Sequence, residues 1–434
     1  MKVIQLNQLI SEDLQRIVQR SAGNNLEIMP KVRVIMKTVR IDGDRFLMES
    51  FKKRFPNTTY SSLLVSDKEV QQAYQQVSKD FISGLEQMIK NIRAVQQAQL
   101  TKRKDTVVYS ETGISVWREW RQIEKVGLYV PGGKAIYPSS ILMTAIPAQI
   151  AGCKEIIMCS PARGNGEIPA ETLVAASMVG MKKIYKLGGA EAVAAMTYGT
   201  ESVPSVYKIF GAGNSFVTAA KMIAQQSISI DMPAGPSEVF IIADGTAKPR
   251  FIAADLLADG EHGEDSACVL ITTSQKIAEQ TVKEMEKQLP QLSTEKLIRK
   301  SLERYGLIAV AKNLDEAIKF ANAYAPEHLE IMTKNPTSLV SKINNAGSVF
   351  LGPWTAKATG DYATGANHVL PTGGMAKMYP PLGVDAFGKW MQVQRCTKKG
   401  LRQIRKSVEI VANAEQLPGH KNSVSIRFKK EQKS

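Results

Sequence analysis

Four histidines are the residues of this chain best suited to chemistry, and each lies in a polar, turn-like stretch. They are His262, His328, His368 and His420, and the first two directly follow a glutamate. An imidazole beside a carboxylate suits a zinc ligand set or acid–base catalysis. The spacing contains neither HExxH nor HxH, so it fixes no ligand set. Ordinary surface or core histidines are therefore an equal alternative.

A rigid turn within Asp231–Glu238 places a serine at a defined position. Its sequence, DMPAGPSE, has two prolines and a glycine close together, which restricts the backbone ahead of Ser237. This serine is a candidate substrate-facing hydroxyl at a junction of two lobes, where pockets tend to form. An interdomain hinge is the other interpretation.

Glycines follow three short apolar segments that are predicted strands. They are Gly132-Gly133, Gly188-Gly189 and Gly211 with Gly213. Glycines at the carboxyl ends of parallel strands let a ligand approach the backbone, and the following helix attracts phosphate at its amino terminus. None of the turns forms GxGxxG with an acidic residue about 20 positions later. Each turn alone is weak evidence, but three in one lobe favour a nucleotide site.

The elements that would position these residues alternate between strand and helix. Residues 1–105 are predicted to be largely helical: 1–20 alternates polar and apolar residues like an amphipathic helix, and 70–100 has apolar residues at helical spacing. From about Gly127 the pattern becomes strand, glycine turn, helix, repeated as far as Leu351. Such alternation predicts an α/β fold with parallel sheets, here as two lobes joined near 230–235.

Composition narrows the class of protein. The chain lacks an amino-terminal apolar leader and an apolar run long enough to cross a bilayer, so we expect a cytoplasmic protein with no membrane partner. The four cysteines have no disulfide or zinc-finger spacing and are expected to be small buried residues. The net charge of +15 is unevenly distributed, and residues 391–434 carry a net charge of +8. That segment lacks interleaved aromatic residues, which favours a solvated tail over a nucleic-acid site.

Seven long motifs resemble those of histidinol dehydrogenase, in that family's order, and the resemblance runs from about residue 30 to residue 428. The motifs are VGLYVPGG (Val126–Gly133), YPSSILM (Tyr137–Met143), IDMPAGPSE (Ile230–Glu238), EHGEDS (Glu261–Ser266), YAPEHLE (Tyr324–Glu330), GDYATGANHVLPTGG (Gly360–Gly374) and PLGVDAF (Pro381–Phe387).

The resemblance implies an α/β fold of two incomplete Rossmann-like lobes with parallel sheets, a helical N-terminal region and an extended C-terminal dimerisation tail. The expected regions are 1–105 (helical), 106–235 (first lobe, on the NAD side), 236–375 (second lobe, with the metal and acid–base residues) and 376–434 (basic tail). It further implies a homodimer with shared active sites and one zinc ion per subunit. The reaction implied is the oxidation of L-histidinol through L-histidinaldehyde to L-histidine with two NAD⁺, in histidine biosynthesis.

The same resemblance assigns roles by position. Zinc would be held by Asp259, His262, Asp361 and by His420 of the tail, which in this family reaches the partner subunit, and would fix the substrate's imidazole and amino nitrogens. Glu327 and His328 match the acid–base pair. The substrate pocket would comprise Ser237, His368, Glu415, His328 and the zinc ligands, and NAD would meet Tyr129, Glu191 and Asn214.

Three positions depart from the family's usual pattern. Asp259 and Glu191 stand where the family usually has glutamine, and Gly211-Ala212-Gly213-Asn214 replaces GPGN, which loosens that turn. Because the acid–base pair and all four histidines are present, the changes favour compensated drift. A zinc- and NAD-dependent dehydrogenase of the same fold acting on another small amino alcohol or diol is the alternative. A non-catalytic, nucleic-acid-binding relative would have damaged these catalytic positions.

Overall fold

A computed structural model describes residues 1–9, 17, 27–57, 62–99, 103–132, 135–232 and 235–429. The chain forms two compact units. The large unit comprises Met1–Gln99 and Ile123–Phe387, and the small unit comprises Leu100–Gln122 and Gly388–Ser434. Every helix among these described residues is too short or too polar to span a bilayer.

The N-terminal part of the large unit contains one strand and three helices. They are β1 (Val3–Gln5), α1 (Met29–Arg54), α2 (Asp67–Tyr74) and α3 (Lys79–Gln99). The expected helix over 1–20 is wrong at β1, which pairs in parallel with residues 308–310 and so completes a sheet edge; most of the rest of that stretch lies outside the described residues. The helix expected over 70–100 is split in two, because Ser66 starts α2 with a capping box and the chain leaves the helix at Gln75.

The first lobe is a five-stranded parallel sheet with helices between the strands. Its elements are β4 (Lys125–Tyr129), α4 (Pro138–Ala151), β5 (Glu155–Cys159), α5 (Ala170–Met178), β6 (Lys183–Tyr185), α6 (Gly189–Tyr198), β7 (Lys208–Phe210), α7 (Ser215–Ala224) and β8 (Ser229–Ile230). The strand order is β6-β5-β4-β7-β8. The three glycine turns of the sequence therefore follow strands of one sheet, at its carboxyl edge.

The second lobe is a six-stranded parallel sheet. Its elements are β9 (Glu238–Ala243), α8 (Pro249–Gly260), β10 (Ala267–Thr272), α9 (Gln275–Gln288), α10 (Glu295–Tyr305), β11 (Gly306–Val310), α11 (Leu314–Tyr324), β12 (His328–Met332), β13 (Ser348–Leu351) and α12 (Lys357–Tyr362). The strand order is β1-β11-β10-β9-β12-β13. Strands β9, β10 and β12 are buried at every residue, as expected when helices cover both faces of a parallel sheet. The two parallel α/β lobes predicted from the sequence are confirmed.

Short 3₁₀ helices complete the large unit. They are Leu6–Gln8, Leu289–Gln291, Pro336–Lys342, Met375–Lys377 and Val384–Phe387. The connection between β12 and β13, Pro336–Lys342, is one of these 3₁₀ helices and not an α-helix. Among the cysteines, which are all free thiols, Cys159 and Cys268 are buried, Cys153 is half-buried and Cys396 is exposed.

The small unit is an antiparallel sheet followed by helices. It contains β2 (Val108–Glu111), β3 (Ile114–Gln122), β14 (Gly388–Cys396), α13 (Lys398–Ala414), α14 (Pro418–Ser425) and a 3₁₀ turn over Ile426–Phe428. Its strand order is β14-β3-β2. The tail is helical beyond β14: Thr397 caps α13 by accepting a hydrogen bond from the amide of Gly400, and helix continues almost to residue 428. Its role in a dimer stays a prediction. Residues 108–122, assigned to the first lobe by sequence, pair here; the four-region division stays a prediction.

A buried ion pair fixes the Gly211 turn of the first lobe. Lys221 and Asp231 are each about 2% exposed and bond to each other. The Lys221 ammonium also donates to the carbonyls of Gly211 (2.9 Å) and Met232 (3.1 Å), and Asp231 accepts from the amide of Gly211 at 2.7 Å. Gly211 has φ +111°, and a side chain there would collide with the Tyr129 carbonyl, so this turn requires glycine.

Replacing Lys221 with methionine should destabilise the large unit strongly. The change leaves the Asp231 carboxylate buried without its cation, which costs about 3–5 kcal/mol. Urea unfolding followed by circular dichroism measures the loss. The control is Lys154→Met, because Lys154 pairs with Glu124 at the surface at 2.6 Å, and such pairs contribute about 1 kcal/mol or less. Equal losses in the two variants would contradict the prediction.

Candidate active site

The acid–base residues predicted from sequence lie at the amino end of β12. Glu327 precedes the strand and His328 is its first residue, and both are buried. The chain enters this strand through Ala325, whose φ of +52° lies in the left-handed region that is unfavourable for a residue with a side chain. Gly347 lies against it: a Cβ there would be 2.6 Å from the Glu327 carbonyl. The pair is therefore held by close backbone packing.

One ring nitrogen of His328 is oriented and the other is available. Nδ1 lies 3.0 Å from the carbonyl oxygen of Glu238, to which its N–H donates. Nε2, the other nitrogen, has no hydrogen-bond partner among the described residues and lies 3.9 Å from Asp361 Oδ1. Burial lowers the pKa of His328, but the nearby Glu327 carboxylate outweighs burial and the pKa is raised overall. The free nitrogen can accept a proton.

Hydrogen bonds to Glu238, at the start of the neighbouring strand β9, hold Glu327 in place. Its Oε2 accepts a hydrogen bond from the amide of Glu238 at 2.9 Å, while the Glu238 carboxylate accepts from the amides of Glu327 (3.4 Å) and Gly373 (2.9 Å). These reciprocal bonds join the starts of β9 and β12. Burial raises the pKa of Glu327, which suits a group that exchanges protons.

Three of the four expected zinc ligands lie around a lysine that the sequence analysis did not single out. The ammonium of Lys357, the first residue of α12, is 2.8 Å from Asp259 Oδ1 and 3.0 Å from Asp361 Oδ2. It is also 3.3 Å from His262 Nε2. Asp259 lies in the last turn of α8, Asp361 is one turn beyond Lys357, and His262 is exposed to solvent. The fourth expected ligand, His420, lies on α14 of the small unit and is exposed.

A buried pair of carboxyl groups lies next to Lys357. Asp255 precedes Asp259 by one helical turn and interacts electrostatically with Glu330, in the middle of β12. Burial raises the pKa of Asp255 to about 6, and burial together with the Asp255 charge raises that of Glu330 well above its usual range. The Glu330 Oε1 atom accepts from the Lys357 amide at 3.0 Å, which anchors the start of α12.

Sequence reasoning missed Asp255, Glu330, Lys357 and Glu238. The signal for two of them is helical spacing, since Asp255 stands four residues before Asp259, and Lys357 stands four before Asp361, each on one helix face. Glu238 and Glu330 face the same site only through strand pairing, which no local pattern reveals.

Of the remaining expected pocket residues, His368 is tied to both lobes. Its Nδ1 lies 3.2 Å from the Asp361 carbonyl and its Nε2 3.1 Å from Ser140 Oγ in the first turn of α4. Desolvation lowers the pKa of His368 to about 4. Ser237 is half-buried directly before β9, whereas Glu415 is exposed at the end of α13 in the small unit.

The three expected NAD contacts lie at the carboxyl edge of the first sheet. Tyr129 ends β4, and its hydroxyl accepts a hydrogen bond from the amide of Gly189 (3.2 Å), at the start of α6; burial raises its pKa to about 12. Glu191, in the first turn of α6, lies 3.4 Å from Ser50 Oγ and 3.5 Å from an Arg54 nitrogen. Asn214 caps α7 by accepting from two amides at 3.1 and 3.2 Å.

The chain is similar to known proteins over nearly its whole length. The family model described as histidinol dehydrogenase matches residues 18–428. The histidinol dehydrogenase of Bacteroides thetaiotaomicron is 44% identical over 420 residues, covering 96% of this chain and 97% of that protein. That of Haemophilus influenzae is 44% identical over 432 residues, covering 99% of both. The crystal structure of histidinol dehydrogenase from Elizabethkingia anophelis superposes with a TM-score of 0.92 at 40% identity, covering 97% of this chain and 96% of that one.

The chain is thus an enzyme of the NAD-dependent dehydrogenase class, built on two parallel α/β lobes. It belongs to the histidinol dehydrogenase family. The family resemblance predicted from the seven motifs is confirmed.

Gly360 sets how closely α12 approaches the sheet, so Gly360→Ala should disturb the site. A Cβ at this position would be 2.6 Å from a ring carbon of Phe350, whose ring packs against His328. We expect a net loss of about 1–2 kcal/mol in unfolding free energy, since overpacking exceeds the gain in helix propensity. Urea denaturation measures it. Gly245→Ala, where no atom lies within 4 Å, is the control and should stay within about 0.5 kcal/mol of the parent. Equal stability of the two variants would contradict the close approach of α12.

Proposed function

We propose that this chain oxidises L-histidinol through L-histidinaldehyde to L-histidine in two successive NAD-dependent steps, as part of histidine biosynthesis. The observation that carries the proposal is the buried His328 imidazole, held through Nδ1 and unpartnered at Nε2, with Glu327 beside it. Such a pair supplies a proton acceptor for an alcohol and a base for water within one site. Family membership supports the substrate.

In the first step, His328 Nε2 takes the proton of the substrate hydroxyl as the carbinol carbon loses hydride. Alcohol and NAD⁺ give aldehyde, NADH and one proton, so the step balances without another reactant. The bond from Nδ1 to the Glu238 carbonyl keeps the proton-free nitrogen directed into the site.

In the second step, Glu327 removes a proton from the water that adds to the aldehyde. The resulting hydrate loses hydride in the same way, giving the carboxylic acid and a second NADH. Burial favours this assignment, because a carboxylate with a raised pKa is a stronger base than one in water. No cysteine nucleophile is required; Cys268, the most central of the cysteines, is buried in β10.

The residues of the first lobe fit a dinucleotide. Glycine lets its turns pack closely at the carboxyl edge of the sheet: a Cβ at Gly188 would be 2.5 Å from Pro161, so this turn cannot hold a larger residue. Tyr129, Glu191 and Asn214 are the residues we expect to hold NAD, near the amino termini of α6 and α7. NAD would accept the hydride in each step.

The expected zinc ion does not fit the donors as they stand. Asp259, His262 and Asp361 come together, but the Lys357 ammonium lies between them at hydrogen-bonding distance. No group of three or more His, Cys, Asp or Glu within the described part of the chain is arranged to hold a metal ion. The zinc inferred from the family therefore stays a prediction, and no step here depends on it.

The homodimer, with Glu415 and His420 completing the partner's site, and the cytoplasmic location also stay predictions.

One assay tests both L-histidinol and the alternative substrate, another small amino alcohol or a diol. Purified protein is given NAD⁺ and L-histidinol, and NADH is counted per substrate consumed. Two NADH per histidinol supports the proposal. Absence of NADH from folded protein, with and without added zinc, would redirect the search to other amino alcohols and diols.

Variants of the acid–base pair should separate the two oxidations. His328→Gln removes the acceptor of the hydroxyl proton and should lower kcat for L-histidinol about 100- to 10,000-fold. Glu327→Gln should retain more of the first oxidation and reduce NADH yield from two toward one per histidinol, with aldehyde trapped by semicarbazide. Glu279→Gln, an exposed change, is the control. Equal loss of both oxidations in Glu327→Gln would contradict the separate role of Glu327.

Arg54 should compensate the acidic departure at Glu191. The ion pair is 3.5 Å long and half of the Arg54 side chain is exposed, so removing its charge should have a modest effect. We expect Arg54→Gln to weaken NAD binding about 3- to 10-fold, because a lone carboxylate then faces the cofactor's phosphates. Glu191→Gln should leave the dissociation constant nearly unchanged. Isothermal titration with NAD⁺ measures both, and the reverse order of effects would contradict this reading of Glu191.

A further inference from the structure

The centre formed by Asp259, His262 and Asp361 already contains a cation of the protein itself. Lys357 is about 2% exposed, and its ammonium lies within 3.3 Å of a polar atom of each of these three residues. An ammonium has three N–H donors and no acceptor, and each of the three residues presents one acceptor atom to it, two as ion pairs with carboxylates and one as a hydrogen bond to an imidazole nitrogen. The lone pairs it occupies are those that a zinc ion would need.

Charge balance favours the same arrangement. Asp259 is fully buried and Asp361 nearly so, and two buried carboxylates require a compensating cation. The Lys357 ammonium, 2.8 Å from Asp259 Oδ1 and 3.0 Å from Asp361 Oδ2, supplies that cation. A divalent ion brought to the same place would meet this charge and would have to displace it.

The ammonium is also held from the backbone side. The Lys357 amide donates to Glu330 Oε1 at 3.0 Å, and Asp361 lies one helical turn further along α12. Asp259 is fully buried, so its charge needs a partner inside the protein. A neutral glutamine supplies no charge for a buried lysine, whereas aspartate does, so Asp259 and Lys357 form a matched pair.

We infer that the Lys357 ammonium is the resident cation of this centre and occupies the position of a catalytic metal, so that the chain works without a stoichiometric zinc ion. The inference concerns the same site as the proposed function and rests on it for the substrate, but not for the metal. Asp259 Oδ2, which is buried and accepts no hydrogen bond from the described residues, is then the acceptor for a substrate ammonium. Recognition of the amino alcohol proceeds by hydrogen bonds in place of metal coordination.

Zinc uptake by the full-length protein tests the inference directly. Protein is dialysed against zinc at stepped free concentrations and the bound metal is measured by elemental analysis. Wild type should hold far less than one equivalent of tight zinc. Lys357→Gln and the double variant Asp259→Gln/Lys357→Gln, which removes both charges of the pair, should each bind one zinc with an affinity on the order of 100-fold higher. Lys300→Gln, an exposed lysine paired with Glu264, is the matched control and should behave like wild type.

The results distinguish failure of the metal inference from failure of the substrate proposal. One tight zinc per wild-type chain, or activity that a chelator abolishes and zinc restores, overturns the inference while leaving the substrate proposal intact. Failure of both Lys357 variants to gain zinc also overturns it, because Lys357 is then not what excludes the metal. If Lys357→Gln does not fold, the charge-neutral double variant carries the comparison. Absence of NADH with L-histidinol, together with the predicted zinc pattern, removes the substrate and leaves the resident cation.

Discussion

The burial of two carboxylates against one ammonium is the constraint on which the second lobe depends. Asp259 and Asp361 come from α8 and α12, and the Lys357 ammonium lies between their carboxylates, where an unpaired buried charge would be costly. The pairing therefore fixes α12 against α8, and with it the segment that carries His368 and the Gly373 amide to their partners. Removing one member of such a group leaves an uncompensated charge, so the three residues act as one unit.

The site lies at an unusual edge for this kind of sheet. Ligands of open parallel sheets generally bind at the carboxyl ends of the strands, as the glycine turns of the first lobe do. In the second lobe, Glu327, His328 and Glu238 lie at the amino ends of β12 and β9, and α8 runs back to deliver Asp259 there. Contacts across the lobes bring the two edges together: Asn367 donates to the Met143 carbonyl at 2.7 Å, next to the bond between His368 and Ser140. A hydride donor and its acceptor can thus approach from opposite lobes.

Apolar patterns and glycine turns predicted the two sheets well, because strands buried on both faces have continuous apolar sequences such as Val239–Ala243. Charged residues of the interior escaped the same reasoning. A lysine such as Lys357 at a helix start reads locally as a surface residue, and only its pairing with Asp259, about a hundred positions earlier in the chain, makes it internal. The basic charge of residues 391–434 was interpreted as a solvated tail, and the amphipathic helix over Lys398–Ala414 was not recognised. Local sequence shows secondary-structure propensity and periodicity. Whether a charged side chain is buried depends on partners that are far away in the sequence.

The two glutamine-to-acid departures illustrate the difference between exposed and buried charge. Each new carboxylate lies near a basic side chain, Glu191 near Arg54 and Asp259 near Lys357. The pair of Glu191 and Arg54 is long and partly solvated, so water screens its charges. We therefore expect little effect on the turn at the start of α6. The pair of Asp259 and Lys357 is short and excluded from water. Removing one of its two charges would leave the other buried without a partner. Compensated drift stays the hypothesis at Glu191, whereas the Asp259 carboxylate is paired with a buried cation in the centre of the site, and our inference about the metal rests on that pair.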